Sequence, residues 1–296
     1  MKLIESIEKV LGSPFLYLTK QLSLKTWCLF FSLLPVLTFC CVPDTSKPKL
    51  SIITSLWKGD EFIQGFMEDI TNQTIFSECE LILINANSPG TEEIVIQPYL
   101  KRFSNIKYIK LDQDPGLYAV WNMGIRMASG EYLTNANIDD RSRKDAYETH
   151  LKALESHPEI DLVYCGFYVS NTANQTFDKE NIYTPLNLKS ANPDEFSIPN
   201  MRICLPGPRP VWRKAMHEKY GFFDETFTVV SDWAFWIRAA SRGSKFLKIP
   251  GLYTVFYLNP DGTSTPKNAH RQALGKLEGD YIKLRYGHLW EINENQ

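Results

Sequence analysis

From Leu50 to Asn137 the chain alternates short β-branched or aliphatic runs with segments of helical apolar spacing, and this alternation limits its fold more than any other feature. LSIITSL (50–56) and the start of ELILINANSPG (80–90) read as strands apolar enough to be buried, with IKYIKLD (106–112) and EYLTNAN (131–137) as a third and a fourth strand. Between the first two, Phe62, Ile63, Phe66, Met67 and Ile70 recur at helical spacing. TEEIVIQPYLKRF and GLYAVWNMGIRMASG read as the next two helices, the latter closed by Gly130. This order predicts an α/β fold with an open, mostly parallel, Rossmann-like sheet and helices on both faces. Ligands of such sheets sit beyond the carboxyl ends of the strands. Thr54, Asn85 to Ser88, and Asn137 to Asp140 are therefore expected to converge on one crevice.

The second half is less regular. AYETHLKALESHPE reads as a helix, IDLVYCGFYVS (160–170) as a strand, SDWAFWIRAASRG (231–243) as a capped helix, and KFLKIPGLYTVFYL as strand-rich. Residues 171–210, with six prolines, read as a long loop, and DYIKLRYGHLW (280–290) as a packed C-terminal helix. At the other end, MKLIESIEKVLG is an amphipathic helix, and WCLFFSLLPVLTFCCV (27–42) is almost wholly apolar. That run is shorter than the roughly 20 residues a spanning helix prefers, and Pro35 interrupts it. An uncleaved anchor, a secretory core and an interfacial leader stay open, and each predicts membrane association through residues 27–42 except a cleaved leader. The expected division is 1–48, a membrane-associating segment and linker, and 49–296, the folded domain. Within the latter, 49–140 is a ligand-binding half, 141–265 a second half and 266–296 a helical tail.

Several function classes are excluded. Lys plus Arg is 32 against 34 for Asp plus Glu, with no basic stripe, so nucleic acid is not an expected partner. The six cysteines have neither zinc-ligand nor disulfide-framework spacing. No G-x-G-x-x-G follows the first strand, and there is no P-loop and no G-x-S-x-G elbow. What remains is Asp139-Asp140 at a strand end and Asp232 on a later helix. Carboxylates holding a divalent cation can neutralise a pyrophosphate leaving group, and a separate carboxylate can deprotonate an attacking hydroxyl. Taken alone, Asp139-Asp140 reads more readily as a turn and helix cap, and Ser231-Asp232 as an ordinary helix start.

From about Leu50 to Thr265 the segment order resembles the family 2 glycosyltransferases, which have the GT-A fold. SIITSLWKGDEFI is similar to their opening strand and helix, and LILINANSPGTEE sits where they have an acidic turn. DPGLYAVWNMGIRMASGEYLTNANIDD resembles their donor-site run ending in the D-x-D metal motif, and VWRKAMHEKYGFFDE their acceptor-side segment. SDWAFWIRAASRG resembles the helix that carries their catalytic base. The resemblance implies inverting transfer of a sugar from a UDP-, GDP- or dTDP-sugar to a hydroxyl of a glycan, lipid or protein, assisted by Mg2+ or Mn2+. Such chemistry belongs to polysaccharide or glycolipid biosynthesis.

By that resemblance Asp139 and Asp140 fall on the metal site and Asp232 on the base. Thr54, Asn85, Asn87, Asp114, Asn122 and Asn137 fall on the donor site, and Trp212 and Arg213 on the acceptor side. Three positions depart from the pattern: Asn137 replaces the first acid of D-x-D, Asn85 a common Asp, and Ser231 the Glu before the base. Asn259, in LNPDGTST, stands where many relatives have His. Asn137 and Ser231 favour the alternative of a catalytically inactive GT-A-fold module that binds a nucleotide-sugar or a protein, whereas Asp139, Asp232 and the whole donor run favour the enzyme. The expected location is membrane-associated, with the catalytic domain facing the cytoplasm, where donors are made.

Overall fold

A computed structural model describes residues 47–177, 184–185, 195–264 and 267–290. The expectations for the amphipathic N-terminal helix and for residues 27–42 lie outside the described residues. Among those described, no helix is long and apolar enough to cross a membrane.

The first half follows the alternation in the sequence. β1 (Leu50–Leu56), β2 (Cys79–Asn85), β3 (Ile106–Lys110) and β4 (Tyr132–Asn135) pair in parallel, in the order β3-β2-β1-β4. Strand side chains alternate between faces. Leu50, Ile52 and Leu56 of β1, with Leu81 and Leu83 of β2, join one core with Ile63, Phe66, Met67 and Ile70 of α1 (Ile63–Thr71) and Ile96 of α2 (Glu92–Arg102). Ile53, Ile82 and Ile84 join the other with Val120, Trp121 and Ile125 of α3 (Leu117–Met127). Helices therefore cover both faces, and each fully buried aliphatic side chain contributes about 1.5–3 kcal/mol. α3 lies unusually close to β1, since a Cβ on Gly124 would sit 2.4 Å from Ile53 Cγ2.

The expected stop at Gly130 is not what ends α3, which finishes at Met127 with Ala128 already extended. Gly130 is required instead by close approach, because a Cβ there would lie 2.8 Å from the backbone nitrogen of Ser51. The neighbouring Glu80, 3% exposed, clasps this junction. Its carboxylate accepts from the hydroxyl of Ser51 (2.6 Å), from the backbone N–H (2.6 Å) and hydroxyl (2.8 Å) of Ser129, and from Lys107 Nζ (2.6 Å).

The second half extends the same sheet. Past β4 the order continues β8 (Val211–Arg213), β6 (Leu162–Ser170), β9 (Phe246–Tyr257) and β5 (Arg141–Ser142), with β7 (Thr184–Pro185) paired to β6. β8 begins directly after the proline-rich stretch 171–210 that reads as a loop, and it bridges the two halves, antiparallel to both β4 and β6. Three residues are too few to show periodicity, and it is pairing on both edges that makes them a strand. α4 (Ala146–Ser156) joins the first core, and α5 (Ala215–Tyr220) and α6 (Ser231–Ala240) the second, while α7 (Ala269–Tyr286) follows β9.

Candidate active site

The 137–140 turn follows the carboxyl end of β4, and its two carboxylates are treated differently. Asp140 is fully buried, and accepts from the N–H of Tyr257 at the end of β9 (3.1 Å) and from Asn137 Nδ2 (3.4 Å). Burial, then the charge of Asp139, push its carboxyl up to about 7. Asp139 is partly exposed, and its Oδ2 accepts from Asn259 Nδ2 at 2.9 Å. The bond from Tyr257 explains this placement, because it lays the end of β9 against the turn, two residues before Asn259.

Two buried arginines hold the turn from beneath. Arg209, 3% exposed and at φ 56°, donates to the carbonyls of Asn137 (2.9 Å) and Asp140 (2.7 Å), to Ser142 Oγ (2.7 Å) and to Asp69 (3.1 Å). Arg141, 1% exposed, donates to the carbonyls of Ile138 (2.7 Å), Asp140 (2.6 Å) and Phe62 (3.1 Å), and to Asn174 Oδ1. Burial lowers Arg141 to about 10, so both cations persist at neutral pH. Sequence reasoning missed them because they grip backbone carbonyls across the fold, which leaves no spacing signal.

Asp232 opens α6 and is partly exposed. Tyr118, in the first turn of α3, donates to its Oδ1 at 3.2 Å and to the carbonyl of Val229 at 2.7 Å, and Cys204 Sγ lies 3.7 Å from its Oδ2. Burial raises the Asp232 carboxyl above the usual carboxylate range, an effect that the backbone N–H of Trp233 and the hydroxyl of Tyr118 partly offset. Burial and the Asp232 charge together keep Tyr118 protonated and able to donate. The expected Ser231 cap is replaced. The hydroxyl of Ser231 donates to the carbonyl of Asp224 at 2.8 Å, and Val230 is the N-cap residue, without a side-chain cap. Glu278 of α7 serves the segment instead, accepting from the N–H groups of Thr228 (2.8 Å), Val229 (2.8 Å) and Val230 (3.2 Å).

The other expected site residues, and Asn135 beside them, fare differently from one another. Asn87, at φ 57°, and Asp114 are exposed, and Asp114 accepts from the N–H of Gly116 at 2.8 Å. Asn85, at the carboxyl end of β2, accepts from Ser88 N–H (2.7 Å) and donates to Tyr108 (3.1 Å). Thr54 and Asn135 are orphans, since Thr54 Oγ1 and Asn135 Oδ1 are buried without a protein partner among the described residues. Asn122 is committed to structure. It donates to the Phe223 carbonyl (2.9 Å) and Glu225 (2.8 Å) and accepts from Phe223 N–H (3.1 Å), pinning the segment before α6.

The acceptor-side pair does not reach the crevice. Trp212 is 0% exposed, donates to His217 Nε2 at 3.0 Å and packs against Trp236 at 5.2 Å between ring centroids, so it offers no face to a sugar. Arg213 pairs with Tyr132, at the amino end of β4, and donates to the carbonyls of Ile160 (2.9 Å) and Leu154 (2.7 Å). It therefore lies at the opposite end of the sheet from Asp139 and ties down the end of α4. An indole and a guanidinium in a proline-rich stretch look like ligand groups; here packing and orphan carbonyls claim them.

Among the described residues no group of three or more His, Cys, Asp or Glu side chains is placed to hold a metal ion. The donor set at the turn, the Asp139 carboxylate and the Asn137 amide oxygen, suits a hard cation that shares its remaining positions with water and substrate phosphates. It does not make a complete protein cage.

Comparison with known proteins gives this arrangement its context. The family model described as glycosyl transferase family 2 matches residues 51–218. The uncharacterized glycosyltransferase EpsJ of Bacillus subtilis is 28% identical over 130 residues, which is 44% of this chain and 37% of EpsJ. The chain thus spans well under half the length of that relative. Among solved structures, TarS of S. aureus in complex with UDP-GlcNAc superposes with a TM-score of 0.60 at 15% identity, covering 76% of this chain and 61% of that one. The mannosyltransferase PcManGT from Pyrobaculum calidifontis, in complex with GDP-Man and Mn2+, gives 0.60 at 14%, covering 81% and 65%. The two structural likenesses establish the GT-A fold, and a family match across more than half of the residues completes the assignment: the chain belongs to glycosyl transferase family 2.

Proposed function

We propose that the protein is an inverting glycosyltransferase that moves a sugar from a nucleoside-diphosphate sugar to a hydroxyl of a glycan, lipid or protein acceptor. The observation that carries this reading is the pair of half-open carboxylates, each held by neutral donors: Asp139 by Asn259, and Asp232 by Tyr118. Asp139 and the Asn137 amide oxygen would hold a divalent cation, which supplies positive charge to the diphosphate as it leaves. Asp140 shapes the turn, and the buried Arg141 and Arg209 fix its backbone before any ligand arrives, so little ordering is left for the binding step. Thr54 and Asn135, with buried oxygens awaiting partners, fit the floor of the donor site.

Asp232 is the general base. Its Oδ1 and Oδ2 are oriented by Tyr118 and Cys204, and burial raises its proton affinity toward that needed to accept a proton from an attacking hydroxyl. TarS was solved with UDP-GlcNAc and PcManGT with GDP-Man and Mn2+, which supports a nucleotide-sugar donor and a divalent ion here too. A catalytic domain facing the cytoplasm would meet such donors directly.

Calorimetric titration with UDP and with GDP, each with and without Mn2+, tests the reading. The expected result is Mn2+-dependent binding of one nucleotide that weakens about tenfold or more in Asp139→Ala, the cost of a lost charge-assisted contact. A folded protein that binds neither nucleotide would overturn it in favour of an inactive module.

A further inference from the structure

The outward face of α7 is nearly bare. The helix packs inward through Glu278 and Ile282, 7% and 0% exposed, while Leu277, Tyr281 and Leu284 stand 68%, 45% and 85% exposed. These three recur at i, i+4 and i+7 and form one apolar stripe, touched only where Tyr281 leans on Phe227 at 5.7 Å among the ring contacts described. Scattered exposed apolar residues are ordinary, but an aligned set on a helix that already has a buried face calls for a partner.

Basic residues outnumber acidic ones beside the stripe. Residues 269–290 carry Arg271, Lys276, Lys283 and Arg285 against Glu278 and Asp280, in a chain whose net charge is −2. Glu278 is turned inward, and Asp280 is paired with Lys276 (2.5 Å) and Lys283 (3.5 Å). Next to them the ends of α6 and α7 enclose an open concavity of about 230 Å³ lined by Arg238, Ser241, Arg242, Arg285, His288 and their neighbours, with no carboxylate. Among the described residues none of these three arginines is ion-paired. Arg285 joins the concavity to the stripe, donating to the Tyr281 hydroxyl at 3.0 Å.

We propose that α7 docks the protein on an anionic lipid bilayer, with Leu277, Tyr281 and Leu284 entering the headgroup boundary and Arg242, Arg285 and His288 meeting lipid phosphates. Apolar side chains rimmed by cations are what an interfacial helix requires. A second copy of this chain is a poorer occupant, because a symmetric pairing would set the basic rim against itself. A soluble phosphate could fill the concavity but leaves the stripe uncovered. The inference is independent of the donor-site reading.

Co-sedimentation of the full chain with vesicles of phosphatidylcholine alone, and of phosphatidylcholine mixed equally with phosphatidylglycerol, tests it. Residues 27–42 are common to every variant, so comparison between variants isolates α7. Partitioning onto the anionic vesicles should fall about tenfold in Arg242→Gln/Arg285→Gln, and comparably in Leu277→Ser/Leu284→Ser, with thermal melting unchanged. Wild-type partitioning by both variants would overturn the proposal, as would a wild-type chain that binds no vesicles. Calorimetric binding of inorganic phosphate without vesicle binding would assign the concavity to a soluble anion. A concentration-dependent dimer abolished by the leucine variant, again without vesicle binding, would assign the stripe to a second copy; either result refutes the bilayer.

Discussion

Glu80 offers the sharpest quantitative test of the fold beneath the site. Burial alone would raise its carboxyl, but the bonds from Lys107, Ser51 and Ser129 outweigh it and hold the group down at about 2, against an ordinary 4.5. At about 1.4 kcal/mol per pKa unit, that gap is about 3 kcal/mol of native stability. The folded carboxyl is the more acidic, so this stability is fully present above about pH 4.5 and is lost as pH falls toward about 2. In Glu80→Gln, the amide oxygen can still accept from the serines, but an NH2 group faces Lys107 and the charge is gone. Urea unfolding of the two proteins at pH 7 should therefore differ by about 3 kcal/mol, or about 6–12 °C in Tm for a domain of this size. The difference should shrink steadily between pH 4.5 and 2. A loss below about 1 kcal/mol at pH 7, or a gap constant with pH, would refute the reasoning.

Other predictions follow from the same contacts. Asp140 has the opposite sign: with its carboxyl raised to about 7, its contribution is present below its ordinary 3.8 and fades as pH rises through 7. With metal removed by a chelator, Asp140→Asn should thus flatten the decline in stability between those values, measured by melting across pH. Asp232→Asn should retain nucleotide binding and lose transfer by about 100-fold or more, in a radiolabelled-donor assay, as removal of a general base requires. Gly124→Ala should destabilise by about 1–3 kcal/mol through overpacking against Ile53, read by urea unfolding.

The first half of the fold was legible because β1 and β2 are apolar and bounded by turns, and α1 carries clear apolar spacing. The positions of Asp139 beyond a strand end and of Asp232 at a helix start were legible because ordered motifs mark them, and the structure leaves both partly open. Less legible was whatever depends on partners distant in sequence. β8 is a strand only through its neighbours, and Arg141 and Arg209 act on carbonyls that any sequence would supply. Asn122, Trp212 and Arg213 show the converse error. Their polar or flat side chains suggest ligands, but a loop, a core and the end of α4 had prior claims on them.

The bonds from Glu278 to the residues before α6 have a dynamic consequence. Three successive amides there close on one carboxylate from the far end of the chain, so the segment cannot open without releasing α7. The start of α6 and the tail helix are consequently expected to open as a single cooperative unit, with amide exchange rates that rise and fall together. Glu278 acts together with Ile282, buried in the same core as α6, and with Trp290, stacked on Trp233 at 6.1 Å, so the tail braces the helix that opens with Asp232.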